Sequence, residues 1–467
     1  MSRHMAMTNW LLRIPRLIAA IVMMTGAATG LVVVAAPAGE ASVTTPVRTV
    51  NDPASTSGDL FGTDVAVSGR TAVVGAPGPG SPASPVYGNP WTPGAGSADV
   101  YVAGPGGWPA TPTVSLHDPA ETAGDGFGGG AHGVAVSGRT VIVGAYGTDS
   151  GAGAAYIYVR GPAGWPATPT VTLADPAATP GDNFGFSVSL SGRLAIVGTQ
   201  DGEAAYIYHE TSSGWPATPT VTLHAPAGGL FGSAVAISGT TAIVGAYAAG
   251  TGRSGIAYAY VEGPSGWPTT PTVTWPDPKA TANDVFGNYV SVSGSTALIS
   301  DVGDGAGPSA VGTAYIYVRG RSGWPAGPTV TLQDPAGKPG DAFSASLAVS
   351  GRLAIVGDGG NSATDAVYVY VKDCSGWPSA PTITLPDPQS PPPFPGDGFG
   401  AGVGVSGTTV LVGAPRVNDD EGVAYFYLSR WLEEDSWLPP YGQACYPGAG
   451  GDPGQPYYGG PGGFLFE

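Results

Sequence analysis

The sequence predicts an all-β fold: a seven-bladed β-propeller of four-stranded blades, closed by an N-terminal strand that completes the last blade. Three observations carry this. A unit with four short strand signals recurs seven times, the seventh copy lacks its fourth strand, and a segment like the missing strand stands alone before the first copy. Composition agrees. Among 467 residues, 77 Gly and 47 Pro supply many tight turns without the three-residue period of collagen. With 42% apolar and 11% charged residues, the chain has enough to bury a large core. After about residue 40, no long run places apolar residues at helical three-and-four spacing.

One copy of the unit begins with Gly181-Asp182-Asn183-Phe184-Gly185, followed by Val188-Ser189-Leu190-Ser191-Gly192-Arg193 and Leu194-Ala195-Ile196-Val197-Gly198. Ala204-Ala205-Tyr206-Ile207-Tyr208, Gly214-Trp215-Pro216 and Thr220-Val221-Thr222-Leu223 complete it. The marker Phe recurs as Phe61, Phe127, Phe184, Phe231, Phe286, Phe343 and Phe399, 47 to 66 residues apart. Four strands at this period suit propeller blades, whereas β-helix coils are much shorter. Residue size agrees: Ala, Val and Gly in the first two strands fit the crowded axis, and Tyr in the third fills the wider gap outside.

Closure follows from the ends of the repeats. Six units finish in Gly-Trp-Pro and a Thr-Val-Thr-Leu-like strand, usually followed by Asp-Pro, but the seventh stops after Tyr425-Phe426-Tyr427-Leu428. The segment Thr45 to Pro53 carries the missing strand and would clasp both chain ends together, leaving no free sheet edge there. The domains are then residues 1–38, an export signal; 39–430, the propeller; and 431–467, a flexible tail rich in Gly, Pro and Tyr.

Phe61-Gly62 followed by Gly75-Ala76-Pro77, and Phe399-Gly400 followed by Gly413-Ala414-Pro415, resemble the FG-GAP repeats of bacterial extracellular proteins and of the integrin α-subunit head. Blades two and four carry Gly144-Ala145-Tyr146 and Gly245-Ala246-Tyr247, blade six has Phe343-Ser344, and blade five has Ser300-Asp301-Val302. The resemblance covers roughly residues 45–430. It implies a seven-bladed propeller with a role in extracellular adhesion or ligand binding. Integrin-type blades hold calcium in an Asp-rich loop between the first two strands. Here that loop has shrunk to Ser68-Gly69-Arg70 and its equivalents, so those calcium sites do not carry over and no cofactor or metal is expected.

The N-terminus reads as an export signal. Arg3, Arg13 and Arg16 precede an apolar run from Leu17 to Ala36, and Ala36-Pro37-Ala38 fits a cleavage site. The rival reading is a retained anchor, since about 20 apolar residues can cross a bilayer, and a membrane partner is expected only in that case. Cleavage would leave 14 basic against 34 acidic groups, a net charge of −20, which argues against a nucleic-acid partner. In an exported chain, the two cysteines, Cys374 and Cys445, are candidates for a disulfide tying tail to body.

In a propeller, the second-to-third and fourth-to-first connections share one face. That face collects most of the acids, while the other receives Arg70, Arg139, Arg160, Arg193, Arg319, Arg321, Arg352 and Lys372. Two first-face connections stand out. Residues 77–96 of blade one carry Tyr87 and Trp91, and blade seven carries Arg416, Asn418, Asp419, Asp420 and Glu421. Closure makes these blades neighbours, and aromatic rings beside carboxylates suit a carbohydrate or peptide ligand. The six Gly-Trp-Pro tryptophans read either as rigid corner covers or as stacking platforms for a glycan.

Catalysis finds little support. His117, His132, His209 and His224 occupy different repeat positions, and H-E-x-x-H, C-x-x-C and G-x-S-x-G motifs are missing from the sequence. The expectation is a secreted, non-enzymatic propeller engaging an extracellular protein or surface polysaccharide. The alternatives are a secreted carbohydrate-active hydrolase or lyase, and a self-assembling surface protein.

Overall fold

The computed structural model describes residues 44–54, 56–78, 95–120, 122–303, 311–337, 342–359, 365–389 and 396–428. Residues 1–38, read above as an export signal, residues 431–467, and Tyr87, Trp91 and Cys445 lie outside the described residues. Among those described, 28 strands form seven antiparallel four-stranded sheets. Each blade's first strand packs against the first strands of both neighbours, with blade seven returning to blade one. No helix among the described residues is long and apolar enough to cross a membrane.

Blade two illustrates the gradient, with strands Val134–Ser137, Thr140–Ala145, Ala154–Val159 and Val171–Ala174. Its second strand is buried along its whole length. Its fourth buries Leu173 between more exposed neighbours, as an outer strand with one covered face does. The closing strand is Arg48–Asn51, antiparallel to Val423–Leu428, with Val50 opposite Ala424. Val50 is buried, so the clasp is sealed by packing as well as by the ladder.

Two small-residue contacts set the spacing between blades. The Gly after the marker Phe has a positive φ, 94° at Gly62 and 89° at Gly185, which L side chains rarely adopt. Its N–H donates to the Gly ending the second strand of its own blade: Gly62 to Gly75 at 2.8 Å and Gly185 to Gly198 at 3.0 Å. Its carbonyl presses on the equivalent Gly of the preceding blade. A Cβ on Gly144 would stand 1.9 Å from the Gly185 oxygen, and one on Gly413 would stand 1.8 Å from that of Gly62. The two repeat glycines are therefore opposite halves of one joint. Ser300 of blade five and Ser344 of blade six, the two departures from the pattern, occupy the two halves of the same joint. There Ser300 Oγ accepts the Tyr289 N–H and Ser344 Oγ donates to the Thr313 carbonyl.

The Ser-Gly hairpins also act between blades. Ser68 Oγ accepts from Gly138 N–H, Ser137 from Gly192, Ser191 from Gly239, Ser238 from Gly294 and Ser293 from Gly351, while Ser406 accepts from Gly69 across the closure. The short hairpin thus links neighbouring blades on the second face at six of the seven joints.

The marker Phe rings pack between blades as expected. Phe127 contacts Tyr156 of its own blade, 5.7 Å between ring centres, and clusters with Val100 and Leu116 of blade one. Of the Gly-Trp-Pro rings, Trp108, Trp215, Trp324 and Trp377 are buried and Trp165 and Trp267 are largely covered. Trp108 stacks on Phe426 of blade seven at 4.5 Å. These rings cover blade corners and do not form a row of open stacking platforms.

Blade two departs from the others near the axis. Seven residues separate Phe127 from Val134, against four from Phe184 to Val188. The added length carries His132 inward, where its ring meets Tyr289 of blade five edge-on at 5.6 Å. Blades two and five are not neighbours, so this contact crosses the axis, with Ala131, Tyr146 and Phe186 packed around it. Burial lowers His132 to about 4.

Candidate functional site

The first-face connections begin with the Asp of Asp-Pro. Asp118 accepts the N–H groups of Ala120 and Thr122, and Asp175 those of Ala177 and Thr179. Asp52 and Asp277 repeat the pattern. This is the Asx turn that a short acidic side chain makes with its own backbone. Among the Gly-Asp aspartates that precede the marker Phe, Asp397 bonds a nearby amide, that of Phe399, while Asp125 lies against Asp118. Burial, then that neighbour, lifts Asp125 to about 6.

Many first-face acids are therefore interior groups. Asp118, Asp125, Asp175, Asp277, Asp284, Asp301, Asp334, Asp358, Asp387 and Asp397 are buried, whereas Asp149, Asp201 and Asp419 are exposed. Counting acids along the chain overstated the charge this face shows to solvent.

A second recurring device joins the marker Phe to the preceding blade. The Phe61 N–H donates to the Glu421 carbonyl, that of Phe127 to Ala95, Phe184 to Ala152 and Phe286 to Ser254. The connection leaving the second strand of blade three is short. There the Glu203 carboxylate replaces the backbone oxygens, accepting Gly229 and Leu230 N–H on Oε1 and Phe231 N–H on Oε2 at 2.8–2.9 Å.

Blade seven turns this framework into a cleft of about 440 Å³, lined by Gln389, Gly396, Asp397, Arg416, Val417, Asn418, Asp419 and Glu421. The structure thus brings together Arg416, Asn418, Asp419 and Glu421, four of the residues the sequence singled out. Asp420 is not among the lining residues, and its carbonyl accepts the Leu60 N–H. Asn418, Asp419 and Asp420 have φ of 56°, 58° and 65°, a left-handed helical turn. Such a conformation costs about 1–2 kcal/mol per residue. Asn and Asp tolerate it best, and contacts from the N-terminal connection hold it. Ser57 Oγ donates to the Asp419 carbonyl at 2.9 Å, and Leu60 and Phe61 N–H donate to the next two. Closing the ring therefore also shapes the cleft.

The cleft carries mixed charge. Asp419 is exposed at its rim, and Arg416 and Glu421 are half-buried. Burial, then the Asp387 charge, lifts Asp397 to about 6. Burial likewise raises Asp420, opposed by the Arg416 charge. Three carboxyl groups and one guanidinium around a polar hollow suit hydroxyl-rich or cationic ligands, with Arg416 as a fixed donor fork. Sequence reasoning missed the contribution of the preceding connection, Gln389, Gly396 and Asp397. Its repeated Asp-Pro and Gly-Asp pattern reads as structural in every other blade. Whether Tyr87 and Trp91 join the cleft lies outside the described residues. So does the proposed pairing of Cys374, which stands in the Asp373 to Gly376 turn, with Cys445.

A family model described as FG-GAP repeat matches residues 52–88, 225–260 and 277–317. No curated protein matches the chain significantly. The matched segments open blades one, four and five, and the same joint glycines recur around the ring. The chain thus carries FG-GAP repeats in three stretches of a seven-bladed β-propeller.

Proposed function

We propose that this propeller is an extracellular binding module whose blade-seven cleft engages a protein or a surface polysaccharide. The observation that carries this reading is the cleft itself. It combines a hollow of about 440 Å³, a left-handed turn held across the ring closure, and one guanidinium among carboxyl groups. Strained backbone that presents polar side chains to solvent is a recurrent feature of binding loops. In the other connections, the Asp-Pro carboxylates of Asp52, Asp118, Asp175 and Asp277 are spent on backbone turns.

The test is co-sedimentation of the purified protein with cell walls and insoluble polysaccharides across a salt series, using wild type, Asp419→Asn/Glu421→Gln and Arg416→Ala. The expected result is saturable binding that weakens at least tenfold in both variants. Polysaccharide binding that survives protease treatment of the walls assigns a glycan, and binding lost with that treatment assigns a protein. Binding equal in all three proteins, or none to any surface, would overturn the assignment of this cleft.

A further inference from the structure

Blade five holds a second arrangement that the binding reading does not use. Asp277 follows the fourth strand of blade four, Asp284 precedes the marker Phe286, and Asp301 ends the second strand of blade five. Each offers a carboxylate oxygen, and these atoms lie within 4.8 Å of one another. All three side chains are buried, Asp301 completely, and Asp301 Oδ1 has no hydrogen-bond partner.

A cationic group reaches them. Lys279 Nζ stands 3.4 Å from Asp301 Oδ2 and 2.6 Å from Thr313 Oγ1. Tyr315 OH donates to the same Asp301 oxygen at 3.3 Å. Here three buried carboxyl groups converge near one ammonium, an arrangement that a simple ion pair does not require and that burial makes costly. The Lys279 side chain is 43% exposed, so its head group can swing into water without disturbing the core.

The arrangement is specific to its place in the ring. The residue equivalent to Asp301 is Ala76, Ala145, Thr199, Ala246 and Ala414 in blades one, two, three, four and seven. The residue equivalent to Lys279 is Ala or Gln in every other connection. Blade six alone shares the extra carboxylate, as Asp358, and its preceding connection carries Lys338, another of the chain's three lysines. A cation-bearing side chain thus accompanies the third acid in both blades.

We propose that Asp277, Asp284 and Asp301 form a binding site for a divalent, oxygen-seeking cation of the calcium class, in competition with the Lys279 ammonium. The donors are all hard oxygens, as that class requires. Both Asp277 oxygens already accept a backbone N–H, from Lys279 and Thr281, which orients the carboxylate and leaves lone pairs free for a metal. Magnesium is disfavoured, because it keeps several waters and this cluster is buried. The site lies on the face opposite the Ser-Gly hairpins and draws on two blades, so a bound ion would tie blade four to blade five.

The test uses the full protein, stripped of metal with a chelator, and two probes: calcium followed by calorimetry, and terbium followed by tyrosine-sensitised emission, with Tyr315 as the near donor. Wild type, Asp301→Asn and Lys279→Ala are compared. Lys279→Ala should bind calcium at least tenfold more tightly than wild type, and Asp301→Asn should remove both that isotherm and the terbium emission. Calcium affinity unchanged by Lys279→Ala would overturn the proposal. If Lys279→Ala does not fold, wild type against Asp301→Asn decides. A signal lost in Asp301→Asn supports the site, and equal signals or none in either protein refute it.

Discussion

Removing the Glu203 carboxylate should loosen the joint between blades three and four. At the joints of Phe61, Phe127, Phe184 and Phe286, the amide of the marker Phe is met by a backbone carbonyl of the preceding blade, but at this joint the Glu203 carboxylate meets Gly229, Leu230 and Phe231. A hydrogen bond to a charged group contributes about 1.5–3 kcal/mol. Glu203 is half-buried, so water can replace part of what is lost. Three bonds at the lower end of that range sum to about 4.5 kcal/mol, and after allowing for water Glu203→Ala is expected to cost about 2–4 kcal/mol in total. Glu203→Gln keeps one acceptor oxygen for Gly229 and Leu230 but turns an amide NH₂ towards the Phe231 N–H. It should cost about half as much. Urea unfolding followed by tryptophan fluorescence reads the total. Amide hydrogen exchange over residues 228–232 reads the location, because those amides should lose protection before the rest of blade four. A change below about 0.5 kcal/mol, the range of an ordinary surface substitution, with protection intact at residues 229–231, would refute the account of this joint.

The acidic interior predicts an unusual pH dependence. Burial is the leading cause that lifts Asp59, Asp99, Asp125 and Asp397 to about 6 and Asp64 to about 7. A carboxyl raised from 3.8 favours the protonated folded state, so its contribution is full below about pH 4 and is lost as pH rises through 6 to 7. His132, lowered to about 4, acts in the opposite sense, and its contribution is lost as pH falls from 6.5. With five carboxyl groups against one imidazole, the thermal midpoint should be higher at pH 5 than at pH 8, and the reverse order would sink this reading. A glycine pair separates contact from conformation. Gly144→Ala drives a Cβ to 1.9 Å from the Gly185 oxygen and should cost about 3 kcal/mol. Gly138→Ala, where φ is 57° and nothing lies within 4 Å, should cost only about 1–2 kcal/mol by urea unfolding.

Much of the ring was legible because repetition averages over local ambiguity. A single Thr-Val-Thr-Leu run is a weak strand signal, but seven units in register, with the fourth strand of the last one displaced to residues 48–51, leave few topologies open. The Arg416 to Glu421 connection stood out for the same reason, as a departure from its copies. What escaped were roles that need two blades at once. The Ser of the Ser-Gly hairpin looked like part of a local turn, yet its hydroxyl serves the next blade. The first face read as acidic, yet many of its acids are buried, several of them as turn formers. Glu203 carried no signal beyond standing in a short connection. His132 was legible only as a length change, seven residues from Phe127 to Val134 against four elsewhere, which says nothing about where the added chain goes.

By itself, the amino-acid order determined the strand pattern, the number of blades and the strand that closes the ring. Those follow from alternation, turn residues and chain order, which are local or counted along the chain. Tertiary structure decided which groups meet. It set Gly against Gly at six of the seven joints, carried His132 across the axis, and drew three carboxylates from two blades around one ammonium. It also joined two connections into the blade-seven cleft. The physical reason is that each of these depends on distances between blades, fixed by packing around a closed ring, and no spacing along the chain encodes such a distance directly.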